Sequence, residues 1–255
     1  MSGPVLAVDN ISKRFGGLLA LDSISFVVNR GEIVGLVGPN GAGKTTLFDV
    51  ISGSCQPTEG DIRLEGISVV GKQPNQIVRR GLARTFQATS LFGDETVLEN
   101  VLRGAFSRSR TGFIDFLLQR PDHRAHEESV RSRAIDVLRL VGLDTHADSI
   151  ARNLSYGHQK RLGVATALAS EPTLLILDEP AAGLNPVEAN EVADVLRRVH
   201  ASRKISILLV EHNMRMVMSL CGRVVVLNYG KKIADGTPDE IRQNEIVLKA
   251  YLGTQ

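Results

Sequence analysis

Apolar and polar positions change rhythm twice along this chain. Short alternating or apolar runs punctuated by glycine come first, at residues 5–8, 24–28, 32–37, 61–64 and 68–70, the last two around a Glu65-Gly66 turn. That texture predicts short strands paired antiparallel. A helix is expected from the glycine-rich stretch at 38–45 through Phe48 to about Ser52, stopped by Gly53. Past Gln87 the pattern turns helical. Val130, Ala134, Val137, Leu138 and Val141 recur on one helical face. Residues 107–124 read as a polar, basic loop around an apolar island of Phe113, Ile114, Phe116, Leu117 and Leu118. From Ser155 helix and strand alternate: a helix to about Ala169, a strand at 173–177, a helix carrying Val192, Val195, Leu196 and Val199, and a strand at 205–210. Apolar strands alternating with amphipathic helices predict a parallel sheet covered on both faces. Residues 224–227 and 231–234, joined by Asn228-Tyr229-Gly230, read as a hairpin, and the tail at 238–251 as helical. The predicted organisation is one α/β domain. Residues 1–86 and 154–255 form the core with its antiparallel β subdomain, and 87–153 form an inserted helical subdomain.

Bulk properties narrow this picture in a few places. With 255 residues, 43% apolar and 23% charged, the chain has the composition of an ordinary globular domain. A net charge of +2 gives no polyanion footprint, so nucleic acid is not an expected partner. No apolar run nears the roughly 20 residues of a membrane-spanning helix. The first nine residues lack the pattern of a secretory signal. Cys55 and Cys221 are far apart and without ligand spacing, so they read as plain thiols in a reducing compartment, the cytoplasm. Arg79, Arg80, Arg84, Arg108, Arg110, Arg120 and Arg124 make the middle basic. This is read as a solvated face, with a membrane partner or lipid head groups as the alternative.

The candidate chemistry begins at residues 38–45, which fit G-x-x-x-x-G-K-[ST] between an apolar strand and a helix, the context a P-loop needs. Backbone N–H groups of such a loop turn inward and form an anion nest at a helix start. Gly38, Pro39, Asn40, Gly41, Ala42, Gly43, Lys44, Thr45 and Thr46 are therefore the candidate ATP-binding residues. Lys44 supplies charge to the β- and γ-phosphates, and the Thr45 hydroxyl is a ligand for Mg²⁺. Asp178 and Glu179 end a buried strand, where open parallel sheets bind ligands. Asp178 is assigned to Mg²⁺ and Glu179 to the attacking water. An acidic pair capping a strand would read the same without the loop. His212 ends the next strand and is placed to bridge Glu179 and the γ-phosphate. Ser155 before a helix is an ordinary N-cap. Together with Gly157 it also makes a helix start able to face the γ-phosphate of ATP held by a second copy. Phe15, before Gly16-Gly17, is a candidate for stacking on adenine, with a core aromatic as the plainer account.

Together these residues resemble the ATP-binding subunits of ABC transporters over essentially the whole chain. The stretches Arg14-Phe15-Gly16-Gly17-Leu18-Leu19-Ala20, Arg84-Thr85-Phe86-Gln87, Glu179-Pro180-Ala181-Ala182-Gly183-Leu184-Asn185-Pro186, Val210-Glu211-His212-Asn213-Met214 and Ala250-Tyr251-Leu252-Gly253 are similar to the branched-chain amino-acid importer ATPases, as is the insertion at 111–124. The resemblance implies an ABC cassette and adds Gln87 as a ligand to Mg²⁺ or the catalytic water. It further implies a second ATPase subunit, in a homodimer or a paralogous heterodimer, clamped over two ATP molecules. Transmembrane permease subunits would hold the pair on the inner face of the membrane, served by an external solute-binding protein. Tyr156 and His158 stand where the broad family favours glycine and glutamine, which bears on the contact made across the dimer. Asn185 replaces an aspartate, as in the subfamily. The alternatives are the ATPase of a urea or amide importer, that of a lipid or lipopolysaccharide exporter, a soluble ABC assembly factor, and a simple nucleotide-binding switch.

Overall fold

In the computed structural model, which describes residues 3–85, 91–106 and 124–252, two sheets divide the strands. Strands β1 (Leu6–Phe15), β2 (Leu18–Val28), β4 (Glu59–Leu64) and β5 (Ile67–Ser68) form an antiparallel sheet in the order β2-β1-β4-β5. Register is set by alternation. Leu6 and Val8 pair with Val28 and Phe26 on one side and with Leu64 and Ile62 on the other, and all six are buried. A one-residue slip would turn this whole set to water.

The second sheet takes β3 (Ile33–Val37), β6 (Leu82–Thr85), β7 (Leu174–Asp178), β8 (Ser206–Val210), β9 (Arg223–Asn228) and β10 (Lys231–Gly236), in the order β10-β9-β3-β8-β7-β6. All neighbours run parallel except the β9–β10 hairpin. Grouping residues 32–37 with the antiparallel strands is thereby corrected. Ile33 pairs with Ile207, and Gly35 with Val224, in parallel. Every position of β3, β7 and β8 is buried, which suits a strand covered on both faces and leaves no alternation to read. Successive residues feed two separate cores. Val37, Leu175, Leu177, Ile207 and Leu209 face one, whereas Leu36, Leu174, Ile176, Leu208 and Val210 face the other.

Helices α1 (Lys44–Ile51) and α2 (Pro74–Arg79) contribute to the core shared with the antiparallel sheet. The opposite core holds α3 (Val97–Phe106), α4 (Arg124–Val141), α5 (Tyr156–Leu168), α6 (Pro186–Arg203) and α7 (Met214–Leu220). The expected apolar faces of α4 and α6 are buried throughout. Buried Asn100 accepts from the Phe92 N–H and donates to the Phe92 and Thr96 carbonyls, pinning the approach to α3. The tail is helical, in two pieces, α8 (Pro238–Gln243) and α9 (Glu245–Leu252). Asn244 divides them because its side chain accepts from the Ile246 and Val247 N–H groups, a cap that starts a new helix. Burial pushes the Cys221 thiol up to about 12, in keeping with an inert cysteine. Among the described residues no helix is long and apolar enough to cross a membrane.

Candidate functional site

The chain leaves β3 at Gly38 and turns back into α1 around Lys44. Gly43 holds the turn at φ +100, and a Cβ there would lie 2.9 Å from the Ala20 carbonyl oxygen and from Leu21 Cδ2. At Gly38 a Cβ would come within 2.2 Å of the Leu227 carbonyl oxygen. Helix α1 starts without a side-chain cap, so the N–H groups of its first turn are the natural donors to an anion. Lys44 folds back inside the loop and donates from Nζ to the Gly38 (2.7 Å) and Pro39 (2.9 Å) carbonyl oxygens. Burial pulls its ammonium below the ordinary lysine range, and the charges of Glu179 and Asp178 oppose that shift. Thr45 is exposed beside it. Gly43→Ala is expected to destabilise the fold by about 1–3 kcal/mol through the disfavoured φ and the clash. That is a fall in melting temperature of several degrees for a chain of this size. An unchanged melting curve would refute the argument.

Strand β7 delivers the two carboxylates. Asp178 is 4% exposed, and among the described residues its Oδ1 has no hydrogen-bond partner, while Oδ2 lies 3.9 Å from the Arg84 guanidinium. Burial raises its pKa, Arg84 pulls it down, and the charges of Glu179, Asp49 and Glu211 raise it further. An unsatisfied buried carboxylate oxygen is costly, about 1–3 kcal/mol or more, unless something fills its coordination. With the Thr45 hydroxyl this is an all-oxygen donor set, which fits a hard cation such as Mg²⁺. Glu179 adopts φ +47, in the left-handed region. Its N–H donates to the Val210 carbonyl (2.8 Å), and its own carbonyl accepts from Ala182 (3.0 Å). His212, exposed at the end of β8, places Nδ1 3.6 Å from Glu179 Oε1. Lys44, Asp178, Glu179 and His212 are thus brought to the carboxyl-end edge of neighbouring strands β3, β7 and β8, where parallel sheets bind ligands.

Arg84 corrects the reading of the basic middle region as a solvated face. Its side chain is 12% exposed and donates to Asp49 Oδ1 (2.8 Å) and Ser52 Oγ (2.7 Å), with its guanidinium carbon 4.3 Å from the centre of the Phe48 ring. It fastens α1 to the sheet edge beside Asp178. Arg79 and Arg80 are exposed. Gln87, Arg108, Arg110 and Arg120 lie outside the described residues.

Ser155 caps α5, its Oγ accepting from the His158 N–H at 3.3 Å, and remains exposed. Gly157 is buried, and a Cβ on it would sit 3.3 Å from Glu188 Oε1 of α6. His158 packs edge-on against His146, ring centres 5.0 Å apart. Burial first, then the charges of Arg161 and His146, hold His158 below the usual histidine range. Among the described residues no hydrogen bond or ion pair joins residues 155–157 to residues 38–46. Asn185 caps α6 by accepting from the Val187 and Glu188 N–H groups. Phe15 is half exposed under the Lys13 ammonium, on a hairpin whose Ala20 and Leu21 touch the phosphate loop. One residue was not singled out from sequence. Glu211 is fully buried, with Oε1 accepting from Ala181 N–H (2.8 Å) and Oε2 from the N–H groups of His212 and Asn213 (3.0 Å each). The available signal was a charged residue directly after an apolar strand.

Comparison with known proteins agrees with this geometry. Residues 21–182 match the family described as ABC transporter, and residues 231–255 match the family described as branched-chain amino acid ATP-binding cassette transporter. The high-affinity branched-chain amino acid transport ATP-binding protein LivG of Salmonella typhimurium is 44% identical over 253 residues, 99% of each chain. The corresponding protein BraF of Pseudomonas aeruginosa is 42% identical over the same span and coverage. Among solved structures, MJ1267, an ATP-binding cassette of an ABC transporter in its ADP conformation, aligns with a TM-score of 0.86 at 29% identity, covering 98% of this chain and 99% of that one.

Proposed function

We infer the function from one premise, that this chain belongs to the ABC transporter family: it binds and hydrolyses ATP to drive uptake of branched-chain amino acids through membrane permease subunits. The observation that carries the reading is the gathering of Lys44, Asp178, Glu179 and His212 at one sheet edge beside a phosphate loop. The similarity to LivG and BraF over nearly the full length supports the substrate class.

ATP phosphates lie in the loop of residues 38–46, held by first-turn N–H groups of α1 and by the Lys44 charge. Phe15 stacks on the adenine. Thr45, Asp178 and Gln87 are the ligands assigned to Mg²⁺, which when bound offsets phosphate charge. Glu179 accepts the proton of the attacking water, and His212 contacts both Glu179 and the γ-phosphate. Ser155 and Gly157 meet the ATP of a second ATPase subunit, identical or paralogous, so nucleotide closes the pair and hydrolysis releases it. The helical segment at about 87–153 forms a subdomain that passes this motion to the permease, which keeps the protein on the inner face of the membrane. An external solute-binding protein acts indirectly. Co-purification from native membranes is expected to recover two permease subunits of the branched-chain amino-acid importer type. Recovery with exporter subunits, or a stable complex lacking any membrane protein, would overturn this assignment.

A further inference from the structure

We propose that Glu211 is a positioning residue for hydrolysis, its carboxylate fastening the turn after Glu179 to the loop that carries His212. The inference rests on the roles assigned above to Glu179 and His212. Glu211 follows five buried residues of β8 and is itself fully buried. Among the described residues no lysine, arginine or histidine forms an ion pair with it. A carboxylate taken out of water without a cation must be stabilised otherwise, and here three backbone N–H donors do so.

The ownership of those donors is what matters. Ala181 lies in the turn that leaves Glu179, whereas His212 and Asn213 begin the next loop. Asn213 in turn caps α7 by accepting from the Met216 N–H at 3.2 Å. Both carboxylate oxygens are used, one for each loop. Glu179 is held in the left-handed region at φ +47, a conformation that persists only where its surroundings over-determine it. The last residue of β8 and the one directly after it provide that restraint. The Val210 carbonyl takes the Glu179 N–H, and the Glu211 side chain takes the Ala181 N–H. The 3.6 Å spacing between Glu179 Oε1 and His212 Nδ1 thus depends on a backbone bridge that passes through Glu211. A shift of about 1 Å in such a pair can slow a reaction by about 10²-fold.

The test is Glu211→Gln in the full-length protein. Glutamine keeps the shape but turns an NH₂ group toward one of the two loops. Turnover per folded site, counted by binding of fluorescent ADP, is expected to fall about tenfold or more, with ATP affinity within about threefold of the parent. The loss should also be non-additive with His212→Ala: the double variant should be no more than about twofold slower than the slower single variant. A purely structural role would lower the melting temperature and the folded yield while sparing turnover per folded site. Turnover within about twofold of the parent, or losses that multiply in the double variant, would overturn the proposal. If Glu211→Gln does not fold, Glu211→Asp bears the same comparisons, since its shorter side chain cannot span both loops. Normal hydrolysis by Glu179→Gln would instead remove the assignment of the base. An inactive Glu179→Gln alongside an unaffected Glu211→Gln sinks only the bridge.

Discussion

Glu179→Gln is expected to bind ATP as the parent does and to hydrolyse it about 10²–10⁴-fold more slowly, the range a positioned general base contributes. The substitution is close to isosteric, and glutamine meets the same left-handed backbone that glutamate already occupies. The tethers to Val210 and Ala182 are made by the main chain and survive it. What disappears is a carboxylate oxygen able to take a proton from water beside Lys44 and His212. The phosphate loop proposed to bind ATP is left intact. Steady-state phosphate release and fluorescent-ATP titration separate the two quantities. Light scattering with ATP and Mg²⁺ should show a closed pair accumulating, because the step proposed to open it is blocked. Hydrolysis at the parental rate would remove Glu179 from its role.

Lys44→Ala acts on the other half of the cycle. It deletes the one side-chain ammonium inside the loop and leaves the Gly38 and Pro39 carbonyls without the donor they now have. A hydrogen bond to a charged group is worth about 1.5–3 kcal/mol, so affinity should fall about 10- to 100-fold. ADP should weaken together with ATP, because the role proposed for the lysine includes the β-phosphate. Calorimetric or fluorescence titration measures this directly, with the melting curve as a check on folding. Unchanged affinity for both nucleotides would contradict the loop's function. The two variants thus separate binding from chemistry.

Much of this site was legible before any fold was known. The loop of residues 38–45 announces itself through glycines at places where the backbone takes positive φ, and through a lysine and a threonine at fixed offsets. Asp178, Glu179 and His212 stand at the ends of apolar runs, and such runs become parallel strands whose carboxyl ends share an edge. Arg84 was less legible. An arginine among arginines reads as solvated, and only the packing of α1 against β6 shows it paired with Asp49 and stacked on Phe48. Short or weakly patterned elements were missed for a similar reason. The strand Leu82–Thr85 sits at the sheet edge, and α2 buries only Ile77, so neither leaves a periodic trace.

Local chemistry was therefore written in the order of residues: which backbone turns, which helix starts, and which carboxylates end strands. These depend on a few neighbouring dihedrals and on spacing within one element. The tertiary structure alone decided that β3 pairs with β8 and β9 rather than with the strands near it in sequence. It alone decided that Glu211 reaches across to Ala181, and that among the described residues no hydrogen bond or ion pair links Ser155 or Gly157 to residues 38–46. Those outcomes depend on which distant segments bury one another's faces. Burial of a sheet on both sides erases the alternation from which a sequence would disclose its neighbours.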